Sequence, residues 1–336
     1  MSNYVYVTNS NDLTVTKIDK TAMTIAATLS LPSTPPYKIV IDAAEAFAYV
    51  TTEFGDLVQI DLSTFTVAQT VAVGGYGASQ DLALDPTDTF CYVSAGGGFF
   101  GDAHKIDITG TLAVVGTLTT SGGGGANYTV GVAVDPYGDY VYIASKFTSS
   151  SVKIDKIDTA TFTIVSTLTV PGMSAIYSVW GIKVDAAGAF AYVFADQLAK
   201  IDLSSFTLVS LDSSIGGIED GMDYADQSGT AFLMLTQGNA ENDVTADLFI
   251  WPPGYSATYT SPEDSRQIAI DWSPGGYAYS MGWGTYSGIS TISKIDIGLS
   301  TVIATCVTGT VSNNRGIAVH GHAAPLVAEN EIVMLV

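Results

Sequence analysis

The sequence predicts an all-β fold, a single seven-bladed β-propeller of four-stranded blades, from three observations. The tripeptide Lys/Gln-Ile-Asp recurs at intervals of roughly 46 residues along the chain. Each interval holds four short runs of β-branched and aromatic residues separated by turn residues. No amphipathic helix pattern of useful length interrupts them. Four-stranded units of this length are typical of propeller blades.

Two series of aspartates mark the strands of each unit. The recurring tripeptide ends at Asp19, Asp61, Asp107, Asp158, Asp202 and Asp296. An apolar run closed by aspartate ends at Asp42, Asp85, Asp135, Asp185 and Asp271, and each is followed by a turn and then by Ala-Tyr-Val or a close variant. We interpret these eleven aspartates as turn-forming residues, because aspartate accepts backbone N–H bonds in tight turns. In one unit the strands are predicted at 179–184, 190–194, 198–201 and 206–211.

The ends of the sequence predict how the ring closes. Complete units begin near Tyr37, Gln80, Thr129, Trp180, Glu219 and Arg266. A seventh unit is split, with three strands in residues 1–30 and the fourth in residues 315–321, where Arg315-Gly-Ile-Ala-Val-His320 repeats the pattern Arg266-Gln-Ile-Ala-Ile-Asp271. We therefore predict one propeller domain over residues 1–321 and a C-terminal tail over 322–336. Such closure removes the exposed sheet edges that favour aggregation.

The repeat also resembles a known family. Tyr6-Val7-Thr8-Asn9 is the tetrapeptide that names the YVTN-type β-propeller repeats, and that family's Ile-Asp-Pro-x-Gly-x-x-x-Tyr-Val phrase recurs along most of the chain. The sixth unit departs from it, because Met222 to Asp226 is shifted by one residue and 239–247 reads as an insertion. The resemblance implies the propeller fold. It leaves the function open, since similar propellers occur in cell-surface proteins, virus particles and lactonases.

Charge and composition exclude several classes of function. The chain has 33 acidic and 12 basic residues, a net charge of −21. This balance argues against nucleic-acid binding, which needs Lys and Arg to displace counterions, and against binding to anionic membranes. If Met1 is the true start, we expect no export by an ordinary signal peptide. Cys91 and Cys306 fall in different units, so we predict two buried free thiols.

Residues with catalytic or metal-binding chemistry are sparse. No nucleophile elbow or calcium loop is present, so we predict no catalytic residue and no cofactor, with a structural calcium ion as an open alternative. His320 and His322 could face one side of a strand, but no third metal ligand is evident, and His320 stands where other units have the turn aspartate. His104 lies near a glycine-rich stretch and is expected to be solvated.

The two arginines are the strongest local signal. Arg266 and Arg315 occupy the same repeat position in neighbouring units, and the equivalent residues elsewhere are Tyr37, Gln80, Val130, Trp180, Glu219 and Asp220. Because the innermost strands of a propeller line its axis, this ring is predicted to surround one channel mouth. The arginines either pair with Glu219, Asp220 or Asp81 and rigidify the closure, or hold an anionic group of a partner. The predicted binding residues are Arg266, Arg315, Glu219, Asp220, Trp180 and Asp81.

The C-terminal tail is predicted to mediate assembly. It ends in five consecutive apolar residues, Ile332, Val333, Met334, Leu335 and Val336, for which the repeat supplies no blade position. An apolar, proline-free segment of this kind must be covered, so we predict that it contacts another subunit or protein.

These features favour a non-enzymatic binding or structural module. We expect a virus-particle surface protein, either a capsid decoration or a host-recognition fibre, made in the cytoplasm and acting through protein partners in a larger assembly, without nucleic acid or membrane. A cell-surface location is the alternative setting. The alternative function is a lactonase-type hydrolase that uses the arginine and acidic residues at the channel mouth.

Overall fold

The described part of the chain consists of β-strands and their connections. The computed structural model describes residues 3–31, 34–74, 79–97, 100–122, 129–148, 150–173, 181–195, 197–212, 218–227, 230–238, 244–251, 254–260, 264–271, 276–283, 289–297, 301–310 and 314–319. The first fourteen strands are β1 (Tyr4–Asn9), β2 (Thr14–Asp19), β3 (Thr24–Ser30), β4 (Pro36–Ile41), β5 (Phe47–Thr52), β6 (Asp56–Asp61), β7 (Thr66–Ala72), β8 (Ser79–Leu84), β9 (Phe90–Gly97), β10 (Phe100–Asp107), β11 (Ala113–Thr119), β12 (Thr129–Val134), β13 (Tyr140–Thr148) and β14 (Ser151–Asp158). The others are β15 (Thr163–Pro171), β16 (Gly181–Val184), β17 (Phe190–Phe194), β18 (Leu198–Asp202), β19 (Thr207–Asp212), β20 (Ile218–Gln227), β21 (Thr230–Gly238), β22 (Val244–Trp251), β23 (Gly254–Thr260), β24 (Asp264–Asp271), β25 (Tyr277–Trp283), β26 (Ile289–Asp296), β27 (Thr301–Thr310) and β28 (Asn314–Val319).

The strands form seven four-stranded antiparallel sheets, which confirms the all-β, four-strand repeat predicted from the sequence. Six sheets are contiguous in sequence: sheet 2 (β4–β7), sheet 3 (β8–β11), sheet 4 (β12–β15), sheet 5 (β16–β19), sheet 6 (β20–β23) and sheet 7 (β24–β27). Sheet 1 has the order β28-β1-β2-β3, with Val7 of β1 opposite Ile317 of β28. The two ends of the described chain therefore meet in one sheet.

The first strand of every sheet, which we call its inner strand, belongs to a closed ring. The inner strands contact one another in the order β28, β4, β8, β12, β16, β20, β24, and β24 contacts β28 again. Their approach is close at Gly316 of β28, where an added Cβ would lie 2.6 Å from the carbonyl oxygen of Tyr37. The inner strands thus surround a common axis, and sheet 1 occupies its place in the ring because β28 supplies its inner strand.

The hydrophobic core lies between consecutive sheets. One cluster joins Val5 and Val7 of sheet 1 to Tyr279 and Met281 of sheet 7, and similar clusters join sheets 1 and 2, 2 and 3, 3 and 4, and 4 and 5. The aromatic residue of the Ala-Tyr-Val phrase is fully buried in six sheets, at Tyr6, Tyr49, Tyr92, Tyr142, Tyr192 and Tyr279. These six second strands therefore pack against neighbouring sheets through the tyrosine, and the burial of its large aromatic surface stabilises the contact.

The structure confirms that aspartates of both series form turns. The carboxylate of Asp85 accepts hydrogen bonds from the N–H groups of Thr89 and Phe90, and that of Asp19 accepts them from Thr21 and Ala22. The turns are tight enough to require left-handed backbone at residues other than glycine. Four of these residues follow the Lys/Gln-Ile-Asp aspartate by four positions, namely Met23, Phe65, Phe162 and Phe206.

Sheet 6 has the shifted register that its sequence predicts. In sheet 2 the alanine of the Ala-Tyr-Val phrase, Ala48, is opposite Ile41, and the turn aspartate follows. In sheet 6 the equivalent Ala231 is opposite Asp226 itself, which moves the aspartate one place earlier.

Two predictions about single residues have opposite outcomes. Cys91 and Cys306 are buried free thiols, as predicted. The expectation that His104 is solvated is wrong, because it lies within β10 and only 4% of the residue is exposed. Its Nδ1 is 3.1 Å from Oγ1 of Thr117, and burial lowers the pKa of the imidazole. The described residues contain no helix of sufficient length and hydropathy to cross a bilayer.

Candidate functional site

The two ends of the ring differ in their connections. Turns from first to second strand and from third to fourth strand lie at one end, which we call the turn end, and they are two to five residues long. The other connections lie at the end where the inner strands begin, which we call the bulge end. These range from two residues to the nine-residue segments 120–128 and 172–180. Variable loops on a rigid scaffold are where binding residues concentrate, so the bulge end is the candidate site.

A β-bulge recurs at the bulge end of six inner strands. In β24 the paired residues are Ser265 and Gln267, and Arg266 between them is the extra residue. Comparable register shifts occur near the start of the inner strands β28, β4, β8, β12 and β20. Bulges redirect side chains and occur often next to active and binding sites. The ring predicted from the sequence therefore coincides with a ring of bulges.

Hydroxyl side chains on the second strands support the bulges. Oγ1 of Thr51 accepts a hydrogen bond from the N–H of Lys38 at 3.1 Å, and Oγ of Ser94 accepts one from the N–H of Asp81 at 3.1 Å. Thr8, at the same place in β1, donates to the carbonyl oxygen of Tyr37 in the next sheet. These hydroxyl groups satisfy backbone N–H and C=O groups that the bulge leaves without a partner in the sheet. This explains why a hydroxyl residue follows Tyr-Val in the repeat phrase.

The backbone of both predicted arginines lies at this ring. Arg266 and Arg315 occupy equivalent bulge positions in β24 and β28, which contact each other. Glu219 and Asp220 lie at the bulge of β20, on the other side of β24. The structure thus brings four of the predicted residues to three consecutive inner strands at one end of the ring.

Other predicted residues have different outcomes. Asp81 lies in β8, two inner strands away from β28, with its side chain partly buried. Trp180, His320, His322 and the tail residues 322–336 lie outside the described residues.

Most of the lysines in the repeat tripeptide hold neighbouring sheets together. Lys105 places Nζ 3.9 Å from the ring centroid of Phe90 and donates to the carbonyl oxygen of Thr159 in sheet 4 at 2.7 Å. Lys17, Lys156, Lys200 and Lys294 stack in the same way on an aromatic ring of their own sheet. Three of them also reach the next sheet: Lys17 lies near the ring of Phe65, Lys156 donates to the carbonyl oxygen of Leu203, and Lys294 donates to that of Lys20. Sequence reasoning missed this role. Its signal was the repeated lysine together with an aromatic residue at the start of six of the seven second strands.

The inner strands carry four of the twelve cationic residues, namely Lys38, Lys183, Arg266 and Arg315. Three of them, Arg266, Arg315 and Lys38, lie near the start of three consecutive inner strands, β24, β28 and β4. We call these three residues the cationic arc. The backbones of these three residues thus lie at the bulge end, and Glu219 and Asp220 lie at the neighbouring bulge of β20.

Two inner-strand carboxylates link neighbouring inner strands. Oδ2 of Asp81 accepts a hydrogen bond from the N–H of Val132 in β12 at 3.0 Å. Oδ2 of Asp223 accepts one from the N–H of Ile270 in β24 at 2.9 Å. Burial raises the pKa of the Asp81 carboxyl, while the charges of Lys38 and Lys183 act in the opposite direction.

Lys183 is the remaining inner-strand cation. Its Nζ is 3.4 Å from Oδ1 of Asp223. Burial opposes its charge, but the carboxylates of Asp223 and Asp81 outweigh that effect and raise the pKa of Lys183. The ammonium of Lys183 therefore has two carboxylates near it and stays protonated at neutral pH. Within the described ranges, no group of three or more His, Cys, Asp or Glu side chains is placed to hold a metal ion.

Sequence comparisons leave the family open. No protein-family model matches the chain. It is 31% identical over 155 residues to the uncharacterized protein YwhL of Bacillus subtilis (strain 168), a match covering 46% of this chain and 30% of YwhL. The chain thus spans less than a third of that relative's length.

Comparisons with solved structures identify the fold. A functionally unknown protein from Desulfotomaculum acetoxidans DSM 771 matches with a TM-score of 0.66 and 16% identity, covering 94% of this chain and 98% of that one. The dihydro-heme d1 dehydrogenase NirN matches with a TM-score of 0.65 and 13% identity, covering 91% of this chain and 64% of NirN. The β-propeller domain of Myceliophteria thermophila Cps50 (Swd1) matches with a TM-score of 0.60 and 12% identity, covering 88% and 91%. At these identities the likeness concerns architecture alone, and the chain has a propeller-like fold.

Proposed function

We propose that the seven sheets are the blades of one closed seven-bladed propeller, and that this propeller is a non-enzymatic binding module. Two features support the closed ring: the inner strands contact one another in cyclic order, and β28 completes sheet 1. The bulge end takes the partner, because its connections reach nine residues in length, whereas those of the turn end have at most five.

The cationic arc carries the proposal. Arg266, Arg315 and Lys38 lie near the start of consecutive inner strands in a protein of net charge −21. Arginine is suited to planar, bidentate binding of carboxylate or phosphate. The charges of distant acidic residues are screened over about 8 Å at physiological salt, so the acidic residues that compete with a bound anion for the arc are chiefly Glu219 and Asp220 at the neighbouring bulge of β20. The arc therefore binds an anionic group of the partner.

The setting of this module stays a prediction. A virion surface, with capsid decoration or host recognition as the role, is consistent with a binding propeller, as is the cell surface. The lactonase alternative would require Glu219 and Asp220 to act as catalytic groups beside the arginines. No feature of the described side chains favours that chemistry over binding.

The test is a titration with acetate and with inorganic phosphate at low ionic strength, followed by calorimetry. We expect Arg266→Gln and Arg315→Gln each to weaken anion binding by about 1–3 kcal/mol, roughly 5- to 150-fold, because each removes a charge-assisted hydrogen-bond donor. Lys146→Gln is the matched control, since it removes one charge from β13, a second strand. Thermal unfolding checks that the variants are folded. Absence of anion binding to the wild type, or equal affinities for all three variants, would contradict the proposal.

A further inference from the structure

His104 is a titratable residue at a position where the repeat does not require one. It stands three places before the aspartate that ends the third strand of sheet 3. The residues at the same position in five other sheets are Thr16, Val58, Asp155, Ala199 and Ser293. Because His104 is only 4% exposed, sheet 3 buries an imidazole where its neighbours bury other kinds of side chain.

The side chain of His104 faces sheet 2. Side chains alternate between the two faces of β10, and Ile106, two residues further on, packs with Leu57 and Val73 of sheet 2. Ala103 lies on the opposite face and packs with residues of sheet 4. His104 is therefore part of the contact between sheets 2 and 3, which is largely apolar.

The two ring nitrogens of His104 have different surroundings. Nδ1 is 3.1 Å from Oγ1 of Thr117, whereas Nε2 is buried and has no hydrogen-bond partner in the part of the chain that the structure describes. In sheet 4 the equivalent Asp155 accepts hydrogen bonds on both oxygens, from the hydroxyl of Thr167 and the N–H of Ser121. A neutral imidazole can leave Nε2 without a proton, but an imidazolium carries N–H donors on both nitrogens. Protonation of the closed structure would thus bury an N–H group without an acceptor.

The charge that acts on His104 is that of Asp102, on the same strand. It favours the imidazolium, but burial has the larger effect and lowers the pKa of His104. Tyr49 of β5 and Cys91 of β9 are the titratable members of the cluster between sheets 2 and 3. Burial raises the pKa of both, so they are neutral below pH 7 and do not compensate an imidazolium.

The strands around His104 supply little further charge. Strands β5 and β7 of sheet 2 and β9 and β11 of sheet 3 contain no charged residue. In β6 the charged residues are Asp56 and Asp61, at the two ends of the strand. Asp56 alternates with Val58 on the face that packs against sheet 1, and Asp61 forms the turn after β6. A proton on His104 would therefore have Asp102 as its main counter-charge.

Hydrogen bonds join sheets 2 and 3 near the turn end. The side chain of Gln69 in β7 donates to the carbonyl oxygen of Gly110 and accepts the N–H of Leu112, both in the turn after β10. His104 lies in the middle of β10, on the bulge-end side of these bonds, and Thr117 beside it is exposed on the outer strand. A separation of the two sheets at the bulge end can therefore bring water to the imidazole while the bonds of Gln69 persist.

We propose that the contact between sheets 2 and 3 opens at the bulge end in acid, through protonation of His104. Above the ordinary pKa of histidine, about 6.5, the ring is neutral and the contact is closed. Below this pH the open form binds a proton that the closed form excludes, so the equilibrium moves toward the open form by up to about tenfold per pH unit. The inference does not depend on the anion site.

Amide hydrogen exchange of the full chain at pH 7 and pH 5 tests the proposal, with each rate divided by the intrinsic rate at that pH. The probe is the N–H of Val73, which donates to the carbonyl oxygen of Gly55 at 2.8 Å. The internal reference is the N–H of Leu31, which makes the equivalent bond at 2.6 Å in the contact where Val58 takes the place of His104. We expect the protection of Val73 to fall by about 10- to 30-fold at pH 5, and that of Leu31 to remain.

Three variants assign the response. His104→Val, which copies the residue of sheet 2, should remove the acid response of Val73. His104→Asn keeps a polar group near Thr117 but does not titrate, and it provides the same test if His104→Val is misfolded. His322→Gln removes a different histidine and should respond as the wild type does.

Three results would overturn the inference. The first is an unchanged protection of Val73 between pH 7 and pH 5. The second is an equal loss at Val73 and Leu31, which would show that acid acts on the whole fold. The third is a loss at Val73 that persists in His104→Val or His104→Asn, which would assign it to another group. Anion titrations of the wild type at pH 7 are independent of all three results, so the proposed function is tested separately.

Discussion

The ion pair between sheets 7 and 1 gives a quantitative prediction about ring closure. Lys20 follows β2 in sheet 1, Asp271 ends the inner strand of sheet 7, and both side chains are almost fully buried. Removing one partner of a buried pair leaves an uncompensated charge and costs about 3–5 kcal/mol. We expect Asp271→Ala to reach that range, because the ammonium of Lys20 then loses its counter-ion.

Replacing Lys20 instead of Asp271 should cost less, because other turn aspartates of the repeat are stable without a lysine partner. Asp42, Asp85 and Asp135 are buried to a similar degree, and turn N–H groups hydrogen-bond their carboxylates. Asp271 belongs to the same series of turn aspartates, so Lys20→Met should lose about 1–2 kcal/mol. The double variant, Lys20→Met with Asp271→Ala, should recover most of the loss caused by Asp271→Ala alone, since no buried charge remains.

The assay is urea unfolding followed by tryptophan fluorescence, with the slope against urea held in common among the variants. Asp107→Ala, which removes an exposed turn carboxylate of sheet 3, is the control for loss of a negative charge elsewhere. Two results would refute the reasoning: equal losses for Lys20→Met and Asp271→Ala, or a double variant that is no more stable than Asp271→Ala.

Four further predictions follow from the same structure. Deleting residues 314–336 removes β28, so we expect insoluble protein or loss of the cooperative thermal transition; a sharp and unchanged transition would disprove the role of β28 in closure. Lys105→Met should destabilise the fold by about 1–2 kcal/mol in urea unfolding, because it loses both the contact with Phe90 and the bond to sheet 4, and a change within error would argue against the lysine contacts as a stabilising device. Burial raises the pKa of Asp81, so the native state holds a proton that the unfolded state has already lost, and stability is lost as pH rises through that window. Asp81→Asn should therefore gain stability relative to the wild type as pH rises above the ordinary pKa of an aspartate, about 3.9, in urea unfolding, and a difference independent of pH would contradict this. Deleting residues 331–336 should leave the melting temperature unchanged and abolish self-association or partner binding in light scattering; unchanged assembly would refute a role for the tail.

The fold was predictable because each turn and each contact between sheets requires a particular type of residue, and these residues therefore recur at fixed positions in the repeat. Asp85 must accept turn N–H groups, and Tyr92 must fill the space between two sheets, so both recur at fixed spacing. The predicted equivalence of Arg266 and Arg315 followed from the same spacing, and the structure places both at one type of bulge.

Contacts that join different sheets were not predictable in the same way. Lys105 contacts Thr159, and Asp223 contacts Ile270, across sheet boundaries that a single repeat does not contain. His104 was wrongly expected in solvent, because its neighbouring glycines indicated a loop while the strand pairing of β10 decides its burial. Lys183 departs from the repeat at one position, and such exceptions become visible only after the register has been established.

The split sheet determines the order in which the molecule is able to fold. Six sheets use strands that are contiguous in sequence, so each can pair as soon as its own segment has left the ribosome. Thr8 of β1 must instead wait for Gly316 of β28, 308 residues later. During that interval the edge of β1 is unpaired, so β28 from a second molecule can add to it, as in domain swapping. β28 completes the ring within one molecule. For the same reason, it is the strand that two neighbouring nascent chains can exchange.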